Sequence, residues 1–447
     1  MVALAAFYLR ISTLTAESLW WDEVITLNQS RGSLSDLIRM VAADNYPPLH
    51  NIIVQLSLRL LGETEFALRL PSAILGSLTV LLVYWVGALL GSRWGGLIAA
   101  ILLTVAGFHI WYSQEARTYA LMACAATAYA GTLLWVAANP SWPRTIANVL
   151  AASALLYSHP YGMFLFASLG GAMFLLILLR RSEWAIGPVR FVVIQAIAGL
   201  AFLPWAFVLL ARTKAMDATV GWIPEVTALR VLYYLMQLMT GPVMLLAAFA
   251  GAVMLVVLKP RSTTLIVLLG AWALGPLVIG VVLSLVTQPL LVQRYLIGSL
   301  PALLLVIGIA TMKLTGIARY AAIAVVAFAG LSSYVAFWPP ARTDFRGIAH
   351  ELEARMTPDD CLVIWSWAWI GLGYYLETPP CLLVRQGPEP SEELYANLDF
   401  TGHAPGRIFV VLTNDEVTDN PHLAALGERI ALTEFGDSRL MEIKPKS

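Results

Sequence analysis

Five polar stretches interrupt an otherwise apolar chain: "LWWDE" with Asp22 and Glu23, "DNYPPLH" from Asp44 to His50, "WYSQEARTYA" from Trp111 to Ala120, "YSHPYG" from Tyr157 to Gly162, and "QRYLIGSLP" from Gln293 to Pro301. A carboxylate such as Asp22 could take the proton of an acceptor hydroxyl. Arginines such as Arg117 and Arg294 could grip a phosphate through paired N–H donors and steady its charge as it leaves. Apolar grooves between helices could hold a long lipid. Together these needs describe transfer from a lipid-phosphate donor to a hydroxyl.

Each stretch also has a plainer account. Asp22 and Glu23 could cap a helix, and Glu115 with Arg117 could be an interfacial ion pair. His159 before Pro160 suits a turn bonded to backbone, while Arg294 and Tyr295 could snorkel. Tyr46-Pro47-Pro48 is a rigid turn that starts a helix, and His50 suits a structural hydrogen bond better than a metal. Trp20, Trp21, Trp111 and Tyr112 would fit an interfacial belt. What raises the chemical account is where the stretches fall together.

The elements that must position them are membrane helices. Of 447 residues, 59% are hydrophobic and 13% charged, and mean hydropathy is +0.74. A soluble domain cannot bury that much apolar surface, so the composition reads as a polytopic membrane protein. Lys plus Arg and Asp plus Glu stand at 28 each, which gives no pull toward nucleic acid. Between residues 66 and 338 only Glu115, Glu183, Asp217 and Glu225 are acidic. A span needs about 20 apolar residues. Apolar runs cover 67–91, 94–112, 118–138, 145–158, 160–180, 187–211, 227–258, 262–287, 290–312 and 317–338, with a break expected at Gly241-Pro242. "MVALAAFYLRISTLT" lacks the features of a signal peptide and reads as a first helix cut short, interrupted by Arg10. The expectation is an all-α bundle of about 11 transmembrane helices.

Loop charges orient it. Arg93, Arg144, Arg180, Arg181, Arg190, Lys259, Arg261, Lys313 and Arg319 fall in alternate loops against one acid, Glu183, which marks those loops as cytoplasmic. The five polar stretches then share the opposite face, as does the tail. Ionisable groups gathered at one membrane boundary are functional candidates. A transporter or lipid flippase would instead want charges near the midplane and inverted repeats, and neither is visible. A non-catalytic scaffold would tolerate loss of Asp22, Glu115 and Arg294 together.

The tail, 339–447, belongs to a soluble domain. "FRGIAHELEARM" has helical periodicity, "DCLVIWS", "PCLLVRQ" and "RIFVVLTN" read as strands, and "RIALTEF" and "RLMEIK" flank "GDS" as a hairpin. This predicts a small extracytoplasmic α/β domain after a membrane domain of 1–338, whose first outer loop is 17–65. No glycine-rich phosphate loop is present. Cys124 sits in an apolar run, and Cys361 and Cys381 share the tail, where they can pair if it faces an oxidising compartment.

"LWWDE", "YPPLH", "SQEARTYAL", "SHPYG" and "QRYLIGSLPALLL", in this order over about residues 8–338, resemble the bacterial GT-C fold glycosyltransferases. The likeness is to protein mannosyltransferase-like and aminoarabinose transferase-like members. That resemblance implies an inverting enzyme of the inner (plasma) membrane, using a polyprenyl-phosphate sugar and a glycan, lipid or protein acceptor outside the cytoplasm. Asp22 then matches the family's first-loop acid, the candidate base, and Glu23 assists it, orients the acceptor or contributes to a metal site. Arg117 takes the donor phosphate and Glu115 holds it or the sugar. His159 and Arg294 line the phosphate or acceptor side, Tyr295 lies with the donor, and Trp222 belongs to a loop, 214–226, that closes over the lipid. Tyr46, His50 and Gln114 are acceptor-side or structural. A divalent cation, Mg or Mn, at Asp22, Glu23 and Glu115 is a further expectation. A polymerase or ligase acting on lipid-diphosphate glycans shares these needs.

Overall fold

A computed structural model of the chain describes residues 1–44, 46–179, 183–212, 223–257, 263–336, 342–387, 395, 398–400, 404–413 and 419–446. Contacts divide the chain into two compact units, Met1–Leu14 with Gln29–Trp338 and Thr15–Asn28 with Pro339–Ser447. The expected first outer loop is therefore shared: residues 15–28 pack with the tail rather than with the helices.

The first unit is a multi-pass helical membrane bundle. After α1 (Val2–Ile11) and α2 (Trp21–Ser30), of which only the last two residues belong here, come α3 (Leu34–Ala42), α4 (Leu49–Leu61), α5 (Glu65–Leu89), α6 (Arg93–Val105), α7 (Gly107–Ser113), α8 (Tyr119–Ala138), α9 (Trp142–Leu156), α10 (Pro160–Leu179) and α11 (Pro188–Arg212). Then follow α12 (Ala228–Leu238), α13 (Pro242–Val257), α14 (Thr263–Val286), a 3-10 turn (Gln293–Ser299), α15 (Leu300–Lys313) and α16 (Gly316–Ala336). Among the described residues seven helices are long and apolar enough to cross a membrane, or up to nine if two bent pairs each count as one span. The run expected over 145–158 forms a helix of 15 residues, and the first helix has 10, so both are shorter than a full span.

One bent pair was legible. α12 and α13 meet at 96°, where Gly241 takes φ 133° and Pro242 starts the next helix, as its fixed φ and missing N–H favour. The other, α6 and α7, bends by 63° at Ala106 without a proline, inside what reads as one apolar run.

Burial sorts the helices. In α8, 89% of the spanning window is buried, against 22% in α11 and α16. Its sequence "YALMACAATAYAGTLLWVAA" explains the central place: small side chains let neighbours approach from every side. The same logic brings α5 against α6, where a Cβ on Gly87 would stand 2.3 Å from the Cα of Gly96.

The second unit is a small α/β domain. α17 (Phe345–Arg355), β1 (Cys361–Trp365), β2 (Cys381–Arg385), β3 (Ile408–Leu412), β4 (Gly427–Phe435) and β5 (Ser438–Pro445) match the sequence expectations for helix, strands and hairpin, while the short helices α18 (Ser366–Leu372) and α19 (Pro421–Leu426) were not expected. The sheet order is β2-β1-β3-β5-β4. β1 pairs in parallel with β2 and β3, while β5 runs antiparallel to β3 and β4. β1 and β3 are buried along their whole length, as continuous apolar strands should be. Cys361 and Cys381 are register partners on β1 and β2 and are joined by a disulfide. Ion pairs anchor the sheet's end: Arg407 meets Asp360 at 2.8 Å and Glu442 at 3.0 Å, and Arg355 also meets Glu442.

Residues 15–28 are tied to this domain by specific bonds. Ser18 Oγ donates to Thr343 O at 3.1 Å and accepts from Phe345 N–H at 3.2 Å. Leu19 N–H donates to Tyr375 Oη at 2.7 Å, and the rings of Trp21 and Trp365 meet edge to face at 6.1 Å.

Candidate active site

Four connections of the first unit meet in one cluster: the turn holding Tyr46, the 114–118 loop, the turn at 157–160 and the 3-10 turn at 293–299. Local bonds fix each. Pro48 sets the start of α4, whose Leu49 N–H donates to Tyr157 O at 3.4 Å. Thr118 Oγ1 donates to Ser158 O at 2.5 Å, joining the second connection to the third. Tyr161 Oη donates to Leu290 O at 3.0 Å, joining the third to the fourth.

The chemistry-bearing side chains converge. The Arg117 guanidinium lies 4.7 Å from the Tyr46 ring centre. Arg294 lies 5.9 Å from the ring of Tyr119 and 5.7 Å from that of Tyr295. Tyr46 Oη and Tyr295 Oη are 3.2 Å apart. The imidazole of His159 sits among four tyrosines, 5.2 Å from Tyr46, 6.1 Å from Tyr119, 5.9 Å from Tyr161 and 4.7 Å from Tyr295. Glu115, Arg117, His159 and Tyr295 are all buried.

His159 carries a definite protonation state. Its Nδ1 accepts from Tyr161 N–H at 3.0 Å, so the neutral ring keeps its proton on Nε2. Burial first, and then the charges of Arg117 and Arg294, hold its pKa well below the ordinary value of 6.5. The Nε2 is buried and meets no hydrogen-bond partner among the described residues. It is thus a neutral donor kept in reserve beside two cations. Burial, followed by the neighbouring hydroxyls of Tyr119 and Tyr295, pushes the Tyr46 phenol well above its usual pKa, so it also stays a donor. Two guanidinium groups and neutral donors are the groups that anion recognition uses.

The other candidates lie as follows. His50 Nε2 is 3.4 Å from Ser72 Oγ, behind the Arg117 backbone. Gln114 reaches the end of α1, donating to Leu9 O and Arg10 O at 3.3 Å and to Thr13 Oγ1 at 2.7 Å. It is a fastening for the loop. Asp22 and Glu23 belong to the second unit, in the first turn of α2, where the helix dipole favours carboxylates. Glu23 is buried and accepts from Trp20 N–H at 3.5 Å, so the capping account holds for it in part. Trp222 lies outside the described residues. Among the described residues no three His, Cys, Asp or Glu side chains gather to hold a metal ion.

Tyr46 and Tyr295 are among the sequence candidates; Tyr119 and Tyr161 are not, although the signal is present. Tyr119 follows Arg117 by two residues and Tyr161 follows His159 by two, inside the quoted stretches. Asp44, two residues before Tyr46, accepts from Gln29 Nε2 at 2.8 Å.

Comparisons with known proteins bear on the fold and on part of the chain that carries this cluster. The sequence profile of the family described as dolichyl-phosphate-mannose-protein mannosyltransferase matches residues 45–208, a segment that holds Tyr46, Glu115, Arg117 and His159. No curated protein matches the chain by sequence. Among solved structures, ArnT from Cupriavidus metallidurans in its apo state is 14% identical with a TM-score of 0.62, covering 99% of this chain and 97% of its own. The oligosaccharyltransferase of Archaeoglobus fulgidus is 12% identical at a TM-score of 0.54, over 92% of this chain and 67% of its own. The arabinofuranosyltransferase AftD from Mycobacteria is 16% identical at 0.50, over 100% of this chain and 41% of its own. At such identities the likeness speaks for the fold. The fold of this multi-pass membrane chain is that of the GT-C glycosyltransferases, and each protein it resembles here is a glycosyltransferase.

Proposed function

We propose that the chain transfers a sugar from a polyprenyl phosphate to an acceptor hydroxyl on the extracytoplasmic face of the inner membrane, with inversion at the anomeric carbon. The observation that carries this reading is the grouping of Arg117, Arg294, the neutral His159 and the paired tyrosines in one buried cluster. A structural relative, ArnT from Cupriavidus metallidurans, was also solved with undecaprenyl phosphate bound, which supports a lipid phosphate as the ligand of that cluster. The disulfide of the tail supports the outward side, because such bonds persist in oxidising compartments.

In this reading Asp22 takes the proton of the acceptor hydroxyl as its oxygen attacks the anomeric carbon. The bond from that carbon to the phosphate oxygen breaks on the opposite side. The polyprenyl phosphate leaves with an added negative charge, which Arg117 and Arg294 stabilise and to which His159 Nε2–H donates. A single displacement of this kind inverts the anomeric centre. Glu115 orients Arg117 or the sugar. The acceptor is a glycan, lipid or protein hydroxyl.

The test separates base from phosphate site. Asp22→Asn should lower transfer by about 10²- to 10⁴-fold, the usual worth of a positioned base, while binding of undecaprenyl phosphate is kept. Transfer at the wild-type rate by the purified variant would remove Asp22 from the mechanism.

A further inference from the structure

Arg10 interrupts an apolar helix, and the phosphate chemistry above makes no use of it. It is fully buried in the first unit. Its Nη2 donates to Leu103 O at 3.0 Å and lies 2.9 Å from His109 Nδ1, and its Nη1 donates to Ala6 O at 2.9 Å and Thr104 O at 3.4 Å. Leu103 and Thr104 end α6, next to the 63° bend into α7. The last carbonyls of a helix have no partner within it, and in an apolar bilayer they need a donor. Arg10 supplies that donor, so the bend has a cause in place of a proline. His109 is in the first turn of α7, which gives the guanidinium a hold on both sides of the corner.

The corner leads straight to the candidate site. α7 ends at Ser113, and Gln114, Glu115, Ala116 and Arg117 follow. Gln114 then grips the carbonyls of Leu9 and Arg10 and the hydroxyl of Thr13. One short helix thus holds the segment before the loop and the loop's first residue. Packing leaves little slack, since a Cβ on Gly76 of α5 would stand 2.1 Å from Ser113 Oγ and 3.2 Å from Arg10 Nε.

We propose that α1 is the positioning element of the 114–118 loop, and that Arg10 and Gln114 are positioning residues that set where Arg117 presents its guanidinium. This rests on the reading of Arg117 as a phosphate ligand. The experiment titrates the purified full chain with undecaprenyl phosphate and follows affinity per folded molecule together with the phosphorus resonance of the bound lipid. Arg117→Ala should lose about tenfold to a hundredfold in affinity, and Arg10→Met and Gln114→Leu about tenfold, because small misplacements of a ligand group are costly. Both positioning variants should also displace the bound phosphorus resonance, and Arg10→Lys should recover part of the loss. If Arg117→Ala binds as wild type does, the phosphate reading fails. If Arg117→Ala loses binding while folded Arg10→Met and Gln114→Leu keep wild-type affinity and resonance, α1 is only structural and the proposal is overturned. Should Arg10→Met not fold, Gln114→Leu decides alone, since Gln114 is only half-buried at the helix end.

Discussion

The two units treat buried charge in opposite ways. In the membrane unit, Arg10 is held by three carbonyls and an imidazole, and the guanidinium groups of Arg117 and Arg294 lie over tyrosine rings. In the soluble unit, the buried Asp360 and Glu442 are neutralised by Arg407 and Arg355. Carbonyls and ring faces hold a guanidinium through dipoles and quadrupoles, whereas two carboxylates hold one through opposite charge. The second arrangement stabilises a fold; for Arg117 and Arg294 the role at stake is the phosphate-binding one proposed above.

That contrast can be broken or sharpened in order of effect. Arg117→Ala or Arg294→Ala should each lower transfer by about 10²- to 10³-fold, the typical loss when one charge-stabilising donor is removed. Hydrogen exchange on β1 and β3 should be unchanged by either. An equal loss of protection in those strands would mean that the arginines serve folding instead. Replacing Cys361 and Cys381 by alanine together should cost the soluble unit about 3 kcal/mol, from the loop of intermediate length that the bond closes, with undecaprenyl phosphate binding kept. Arg407→Met leaves two buried carboxylates without that partner, and because Arg407 is itself partly exposed the cost should be about 2 kcal/mol, read by exchange on the same strands.

The smallest effect is a difference in acid response. Burial works to raise Asp360, but Arg407 and Thr357 hold it below the usual 3.8. Its stabilisation is full above about 3.8 and is lost as pH falls below that toward its folded pKa. His159 is depressed from 6.5 by burial and two arginines. The unfolded chain takes that proton first, so the membrane unit should begin to lose stability as pH drops below about 6.5. Thermal unfolding of the two units across pH 3–7 should therefore show the helices weakening first. A soluble unit that weakens first would show that these groups do not govern either response.

How far the sequence carried this picture follows from what each feature depends on. The strands of the tail were legible because apolar runs and turn residues act locally; Gly436 takes φ 67° in the "GDS" hairpin as expected. The break at Gly241-Pro242 was legible for the same reason. The bend at Ala106 was not, because its cause is Arg10, 94 residues away from Thr104. Nor was the packing of residues 15–28 with the tail, which rests on bonds such as Leu19 to Tyr375 across 356 positions. At the candidate site, residue type and shared membrane face point to Arg117, His159, Arg294 and Tyr295, and the structure groups these side chains in one cluster. Their tyrosine surroundings required the helices to be assembled.

The bond between Cys361 and Cys381 reaches beyond compartment. Among the described residues β2 is a rim strand whose one neighbour is β1, and an unattached rim invites pairing with a foreign strand. Stapled at their first residues, the two strands cannot peel apart from that corner. Chains matured without a thiol oxidant should therefore be prone to swapping this strand between copies.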